Sequence, residues 1–299
     1  MIENAPSKVL RSIFFASLMF LALSPASVIA QDSGFLARVD MLIEEEKPQE
    51  ALWLMERFSD NPEIYWRRSQ AMLFLGDQRR DTGATDGELV DIFSSAERYA
   101  DRTIALDPRN PEGYYWKAAN IGRLGQMRGA LTRLRLASDM RRLLEQAIAL
   151  DPFHSESYGV LAQLYAQVPS GISFGNKAYA VSLGWKAVYL MEVAVASGER
   201  DKPIEAYYVE LASHLIDRGW NEQRRSRSMG GISSNFLSAS APLERGFFFE
   251  GSLNRPNRSD RDDAREILQG TIRRMEAILN PQPIDTRRLQ QARELLAKI

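Results

Sequence analysis

Hydrophobic and small residues recur through the middle of the chain at the spacing of an amphipathic helix. In three stretches an aromatic residue is followed by small or apolar residues at helical intervals, so each stretch presents one face to a neighbour. Two further stretches, which end before Pro108 and Pro152, keep this spacing and supply partner helices. The pattern predicts paired α-helices. The positions of the three faces are Tyr65, Ser69, Met72 and Gly76, then Tyr114, Ala118, Ile121 and Gly125, then Tyr158, Leu161, Ala162 and Tyr165.

Prolines divide these helices at a nearly constant interval. The runs RFSDNPEIYW, IALDPRNPEGYYW and IALDPFHSESYGVL each end one amphipathic stretch and restart with an aromatic residue. Their prolines Pro62, Pro108 and Pro152 are 46 and 44 residues apart. Proline ends the helix before it and suits the first turn of the next one. A fixed period of this length predicts a stacked array of helical hairpins.

The order of residue types in each period resembles the tetratricopeptide repeat (TPR): an aromatic, a small residue, an apolar residue, a glycine, an alanine and a closing proline. That repeat is about 34 residues long, so each period here carries roughly ten residues more. The sequence places the extra residues between paired helices, at 77–91 and around 127–139. The resemblance implies an all-α fold, a tetratricopeptide-like helical-hairpin array (α-solenoid) with a C-terminal helical cap.

Residues 60–220 and the last turns of the chain also resemble the exported TPR proteins known as the T component associated with TRAP transporters. The resemblance is carried by YYWKAANIGRLGQ, by SYGVLAQLYAQVPSGISFGNKAYA and by the closing IDTRRLQQARELLAKI. It implies a scaffold that assembles with an extracytoplasmic solute-binding protein, with the capacity to hold an apolar small molecule.

The first 30 residues differ from the rest of the chain. Lys8 and Arg11 precede the apolar run IFFASLMFLAL, and the small residues of SPASVIA then lead to Gln31. The apolar run is 11 residues long, whereas a membrane span needs about 20. This pattern predicts a cleaved secretory signal peptide over 1–30 and a periplasmic chain without a membrane span.

Composition and the few reactive residues narrow the chemistry. With 38 basic and 39 acidic residues the net charge is −1, which gives no global field for nucleic acid. The absence of cysteine excludes disulfides, thiolate nucleophiles and cysteine metal sites. His154 and His214 do not have metal-ligand spacing, and we expect His154 at the surface. We therefore predict no cofactor, no metal and no enzymatic activity.

Two glycines and Lys177 in SGISFGNKAYA raise the question of a phosphate-binding loop. The spacing is shorter than in G-x-x-x-x-G-K-[ST], and Ala178 stands where that motif needs a metal-binding hydroxyl. The preceding residues LAQLYAQ are helical in pattern and do not form a strand. We therefore predict a turn between two helices, with Asn176 or Ser173 capping the second.

The helical pattern weakens after residue 220. Residues 221–260 are rich in Ser, Gly, Pro and Asn, which predicts a long loop or lid. Ser259 or Asp260 then caps the first of two C-terminal helices. The predicted organisation is a signal peptide at 1–30, a TPR-like helical array at 31–220, a long loop at 221–260 and C-terminal helices at 261–299.

Two kinds of side chain form the candidate partner or ligand surface. Arg128, Arg135 and Arg142 repeat every seven residues and form a basic stripe on one amphipathic helix. Either the stripe is a solvated face with intrahelical ion pairs, or it docks an acidic protein or anionic ligand. The aromatic candidates come mainly from the first helices, which line the concave face of such arrays. They are Tyr65, Trp66, Tyr115, Trp116, Tyr158, Phe174 and Phe248.

These features predict a non-enzymatic exported scaffold that binds a protein partner on a preformed surface. The alternative is an accessory protein of a TRAP-type uptake system, in which Phe174, Trp116 and the FFF run at 247–249 enclose an apolar cavity. The same FFF run can instead cover the end of the array. The sequence leaves open the identity of the partner, the ligand and any homo-oligomer.

Overall fold

The computed structural model of the chain describes residues 25–58, 60–255 and 257–299. The chain divides into two compact units, residues 1–38 and residues 39–299. Of the predicted signal peptide, residues 1–24 lie outside the described residues, and 25–30 belong to the first helix. The α-helices are α1 (Pro25–Glu44), α2 (Pro48–Met55), α3 (Pro62–Asp81), α4 (Asp86–Leu106), α5 (Pro111–Gln126), α6 (Ala130–Leu150), α7 (Ser155–Gln167), α8 (Lys177–Ser197), α9 (Glu205–Arg218), α10 (Glu222–Ser238), α11 (Pro242–Phe247), α12 (Asp260–Glu276) and α13 (Pro283–Leu296), and a 3₁₀ helix covers Phe249–Ser252.

Within the second unit the helices pack in pairs that stack on one another. α3 packs with α4, α5 with α6 and α7 with α8, and each pair contacts the next one along the chain. In the fourth pair, α9 packs with α12, because α10 and α11 are inserted between them. α13 then packs on α9 and α12 as a terminal cap. All regular secondary structure in the described ranges is helical, so the predicted all-α hairpin array is confirmed.

Asparagine caps and prolines set the starts of α3 and α5, the first helices of the first two pairs. Asn61 caps α3 and Asn110 caps α5, each accepting a hydrogen bond from the amide two residues further on. Pro62 occupies the first turn of α3, as predicted. Pro108, in contrast, lies between α4 and α5, and Pro111 occupies the first turn of α5. In this repeat, therefore, one proline follows the end of a helix and a second proline starts the next.

The residues that exceed the TPR period lengthen the helices. α3 and α4 contain 20 and 21 residues and are joined only by residues 82–85, so most of the predicted insertion at 77–91 is helical. Thr85 and Glu88 form a capping box that starts α4. α6 has 21 residues as well. The hairpins are therefore longer than the repeat pattern, with short turns.

The prediction of a long loop over 221–260 is wrong, because α10, α11 and the 3₁₀ helix occupy most of that range. Serine and glycine give α10 a low intrinsic helix propensity, and tertiary contacts override it. Arg225 is buried in its first turn, where its Nη1 donates to Asp263 Oδ2 at 2.5 Å. Further along, Ser233 Oγ donates to the carbonyl of Gly251 at 2.8 Å. These bonds fix α10 as a helix.

One described helix, α8, is long and apolar enough to cross a membrane. Of its most apolar window, 56% is buried inside the fold, where it packs against α7 and α9. Its side chains contribute to both main hydrophobic clusters, through Leu183 in the first and Val181 in the second. Core packing therefore accounts for the apolar composition of α8.

Candidate protein-binding groove

An open groove with a volume of about 650 Å³ lies between α4, α5 and α6. We refer to it as the α5 groove, because α5 forms its floor and the second helices of two successive hairpins form its walls. The lining residues are Glu97 of α4, Tyr114, Lys117, Ile121 and Leu124 of α5, and Leu136, Asp139, Arg142, Leu143 and Gln146 of α6. Of the predicted site residues only Arg142 lines the groove, and none of the predicted aromatic residues does.

The groove exists because α4 and α6 both pack on α5 but have no extensive contact with each other. One side of α5 faces into the array, where Trp116, Ala118 and Asn120 are buried. Toward the gap between the two walls α5 presents Ile121, which is only 6% exposed, and the half-buried Leu124. The apolar surface that α5 offers to the groove is therefore limited, and the half-buried leucines of α6 that line the groove add to it.

Charged side chains on the walls and floor of the α5 groove are partly paired with one another. Lys117 Nζ donates to Asp101 Oδ1 at 2.6 Å, and Arg142 Nη2 donates to Asp139 Oδ1 at 2.7 Å. Glu97 has no ion pair or hydrogen bond with any described residue. Burial raises the pKa of Glu97, and the nearby Lys117 only partly offsets this effect. The groove therefore offers an apolar floor and one unpaired carboxylate.

The predicted arginine stripe follows the α6 wall of this groove. The Arg142 side chain lines the groove directly and is 77% exposed. Arg135 lies two turns earlier on the same helix, and Arg128 precedes its first residue; both are exposed and form no ion pair with a described residue. Both interpretations of the stripe thus have support, because Arg142 is paired within its helix while Arg128 and Arg135 are not.

Two of the predicted aromatic binding residues belong to the core. Tyr158 is 0% exposed and lies at the centre of the largest hydrophobic cluster. Trp116 is buried as well, and its Nε1 donates to Glu112 Oε2 at 2.9 Å. The prediction that these two rings form a binding surface is wrong, because the helical spacing that places them on one face turns that face toward neighbouring helices.

The remaining aromatic candidates are half-buried and make contacts within the fold. Trp66 lies under the Arg67 guanidinium at 4.0 Å, and Tyr65 lies 6.1 Å from the ring of Tyr99. Tyr115 packs edge-on against the buried indole beside it at 4.8 Å, and burial raises its pKa. Tyr65 thus joins α3 to α4, whereas these contacts of Trp66 and Tyr115 are with adjacent residues of their own helices.

The FFF run packs against α8 and does not close a cavity with Trp116. The Phe247 ring stacks on Tyr179 at 4.5 Å, and Phe248 meets the same tyrosine edge-on at 5.8 Å. Phe174 lies under the Arg141 guanidinium at 4.5 Å, in a different hydrophobic cluster from Trp116. The cavity predicted from these rings is therefore not formed, and the FFF run covers the array instead.

A repeated glutamate, which the sequence interpretation missed, joins successive hairpins. Glu63 accepts from Asn110, the cap of the next first helix, at 3.1 Å. Glu112 lies 3.1 Å from Nε2 of His154, which caps α7, and Glu156 accepts from Arg200 at 3.0 Å. The signal was present in the sequence as NPE at 61–63, NPE at 110–112 and HSE at 154–156. These contacts link successive hairpins, and each of the three glutamates is hydrogen-bonded within the fold.

The expectation that His154 lies at the surface is wrong. The ring is buried, and its Nδ1 accepts from the amide of Ser157 at 3.1 Å, so Nε2 carries the proton that is donated to Glu112. Burial opposes protonation of His154, but the hydrogen bond and charge of Glu112 outweigh it and raise the histidine pKa. His154 therefore replaces the asparagine cap of the earlier repeats.

The glycine segment between α7 and α8 is a turn, as predicted. Asn176 caps α8 by accepting from the amides of Ala178 and Tyr179 at 3.0 and 3.2 Å. Gly175 packs so closely that a Cβ there would lie 1.7 Å from the carbonyl oxygen of Val168, which explains the glycine. Across the described part of the chain, no group of three or more metal-binding side chains comes together.

One protein family matches the part of the chain that contains the groove. Residues 35–184 match the family described as "Regulator of microtubule dynamics protein 1-3", a range that includes all three helices of the α5 groove. The fold is also similar to a crystal structure of a thermophilic TPR protein from Thermus thermophilus, at 15% identity and a TM-score of 0.48, over 74% of this chain and 98% of that one. No curated protein matches the sequence significantly.

Proposed function

The chain belongs to the regulator of microtubule dynamics protein 1-3 family, and we propose that it is a non-enzymatic scaffold that binds another protein in the α5 groove. The observation that carries this proposal is the open groove of about 650 Å³, whose apolar lining includes the half-buried Leu124 and Leu143, between two charged walls. A preformed surface of this kind limits the ordering cost of binding to the partner. The family description refers to microtubule dynamics, and the part we propose for this chain is protein binding.

We further propose that the scaffold acts outside the cytoplasm, in the periplasm. The support is the sequence of residues 1–30, with two basic residues, a short apolar run and a small-residue ending. An extracytoplasmic solute-binding protein is then the partner class that the resemblance to the TRAP T component favours. Detection of the mature chain in a periplasmic fraction, beginning at Gln31, is the result this proposal expects.

Binding of a small apolar molecule is the second candidate function, as in an accessory protein of TRAP-type uptake. It is favoured by the volume of the α5 groove, about 650 Å³, which falls within the range of about 300–1,000 Å³ for ligand pockets. Against it, six of the ten lining residues are charged or carry a polar end, and Phe174, Trp116 and Phe248 do not line the groove. We therefore rank it below protein binding.

Charge reversal on the α6 wall tests the leading proposal. We expect the double variant Arg135→Glu and Arg142→Glu to lose its co-purifying protein from native extract, because both side chains are exposed beside the groove. Its unfolding free energy should change by less than about 0.5 kcal/mol, since neither residue is buried. The measurement is affinity capture followed by native mass spectrometry, with urea denaturation alongside.

The matched control reverses two exposed arginines far from the groove, Arg224→Glu and Arg227→Glu on α10. It carries the same change in net charge and should retain the partner. Equal capture by both double variants would reject the α5 groove as the docking site. Capture of a small molecule in place of a protein would favour the second candidate function.

A further inference from the structure

We propose that the occupant of the α5 groove is an amphipathic helix with a basic residue on one flank and acidic residues on the other. This inference rests on the proposed function of the groove and specifies the chemistry of its partner. The charges of the two walls and the backbone chemistry of the three lining helices carry it.

The backbone of the groove favours a helix over an extended peptide. α4, α5 and α6 satisfy their amides and carbonyls within themselves and offer no sheet edge to an incoming strand. An extended segment in contact with the apolar floor would leave its own backbone groups without partners. A helix satisfies these groups internally and presents only side chains to the half-buried apolar residues of the groove, Leu124, Leu136 and Leu143.

The length of the floor fixes the size of the occupant. The groove follows α5 from Tyr114 to Leu124, which at 1.5 Å per residue is about 15 Å. Three helical turns cover that distance, so the apolar contacts come from side chains at i, i+3 or i+4, and i+7. A segment of about 12 to 14 residues therefore suffices.

The charge of the α4 wall favours a basic residue in the partner. Glu97 lines this wall, is half-buried, and has no ion pair within the described part of the chain. Lys117, the cation beside it on the floor, is held by Asp101 at 2.6 Å. A lysine or arginine on the facing flank of the partner would give Glu97 the counter-charge that the fold does not supply.

The α6 wall calls for acidic residues. Arg135 is exposed and has no described ion pair, and Arg142 is shared with only one carboxylate, Asp139. Arg128 continues the basic wall beyond the first residue of α6. The two walls therefore have opposite unpaired charge, and a partner helix with segregated flanks matches both at once.

Three synthetic helical peptides of about 14 residues test this inference against the full mature chain. They share one leucine face and differ in their flanks: glutamate on one and lysine on the other, glutamate on both, or lysine on both. We expect the split-flank peptide to bind most tightly, about threefold over the all-glutamate and about tenfold over the all-lysine peptide, measured by calorimetry. Circular dichroism should show that peptide helicity rises on binding.

A single charge reversal on the α4 wall should then change which of the three peptides binds most tightly. In Glu97→Lys both walls become basic, so the all-glutamate peptide should bind most tightly. The matched control Glu199→Lys, an exposed site between α8 and α9, should keep the original order. Loss of all preference among the peptides, binding without a gain of helicity, or no binding of any of them would overturn the inference.

The two proposals fail differently. If the Arg135→Glu and Arg142→Glu variant loses its native partner while the peptides show no flank preference, the groove binds protein but not a helix of this kind. If the native partner is retained by that variant and the peptides do not bind, the proposed function of the groove fails as well.

Discussion

The α5 groove and the junction of α9 with α12 are built from the same unit, a helical hairpin, but they use charge in opposite ways. On the groove wall the Arg142 side chain is 77% exposed. At the junction the side chains of Arg218 and Asp260 are 1% and 0% exposed. The inserted segment from α10 to the 3₁₀ helix makes the difference, because it covers the junction and brings Glu250 to Arg218. No helix of the described chain lies over α5 in the same way.

The comparison shows which charges are available to a partner. Arg218 is held by four hydrogen bonds to two carboxylates, among them Nη2 to Asp260 Oδ1 at 2.7 Å and Nη2 to Glu250 Oε1 at 2.9 Å. Removing these groups from water is costly and is offset only by complete pairing. Charges of the junction are therefore committed to the fold, whereas Glu97 and Arg135 beside the groove form no ion pair with a described residue and Arg142 is paired yet largely exposed.

Breaking the buried cluster should give the largest effect on stability. We expect Arg218→Met to lower the unfolding free energy by about 3–5 kcal/mol, because the buried Glu250 and Asp260 would lose their main counter-charge and keep only Arg225, which is already paired with Asp263. Urea denaturation at neutral pH measures the change. Arg227→Met, at an exposed site on α10, should alter it by less than about 0.5 kcal/mol. A loss of similar size in both variants would refute the distinction between committed and free charge.

His214, the buried histidine of α9, should make the unfolding free energy depend on pH in the acidic range. His214 is 5% exposed and its ring nitrogens bond no described residue, so burial lowers its pKa to about 4 from an ordinary 6.5. Below pH 6.5 the unfolded chain therefore binds more protons than the folded one. Its contribution is complete above pH 6.5 and is lost as the pH falls to about 4, by up to about 3 kcal/mol.

His214→Leu should remove that part of the pH dependence. Urea midpoints of the two proteins, measured at several values between neutral and mildly acidic pH, give the difference in slope. An unchanged slope in the variant would show that another group in the junction is responsible.

His154, which joins α7 to α5 through Glu112, should have the opposite and smallest effect on stability. Its pKa is raised, so its charged form stabilises the fold below the ordinary value of 6.5, and this contribution is lost as the pH rises through the raised pKa. His154→Asn restores the cap found at Asn110 and removes the titration. We expect a change of about 1 kcal/mol or less at pH 6, and a smaller one at pH 9.

Thermal unfolding at these two pH values measures the His154 effect. Asn110→His, the reverse exchange in the preceding repeat, is the matched comparison and should introduce a pH dependence of the same sign. A wild-type protein that gains stability relative to His154→Asn as the pH rises would contradict the ion pair with Glu112.

The sequence predicted the array better than it predicted the site. Period-spaced prolines and one-sided apolar faces gave the hairpins from α3 to α8, because each feature acts within a single helix or turn. The groove, in contrast, depends on the distance between α4 and α6, which no spacing within one helix encodes. Arg142 was a candidate because it lies on a basic helix face, and its side chain lines the groove. Tyr158 was a candidate because the pattern does not tell a core face from a binding face.

Residues 221–260 also show where prediction from local sequence fails. Its serines and glycines have low helix propensity, and local reasoning therefore gives a loop. Arg225 and Ser233 make the segment helical through bonds to Asp263 and Gly251, which are 38 and 18 residues away. Such distant partners cannot be found from the composition of the segment.

The sequence was sufficient to predict the helical class, the paired helices and the turn before α8 with its cap at Asn176, because these follow from bonds between residues a few positions apart. Only the packed fold shows which arginines are buried and which are exposed, that the FFF run packs against α8, and that a groove is left over α5 between two walls. The physical reason is that burial and charge pairing depend on which distant segments come together, and the groove is what remains after that packing is complete.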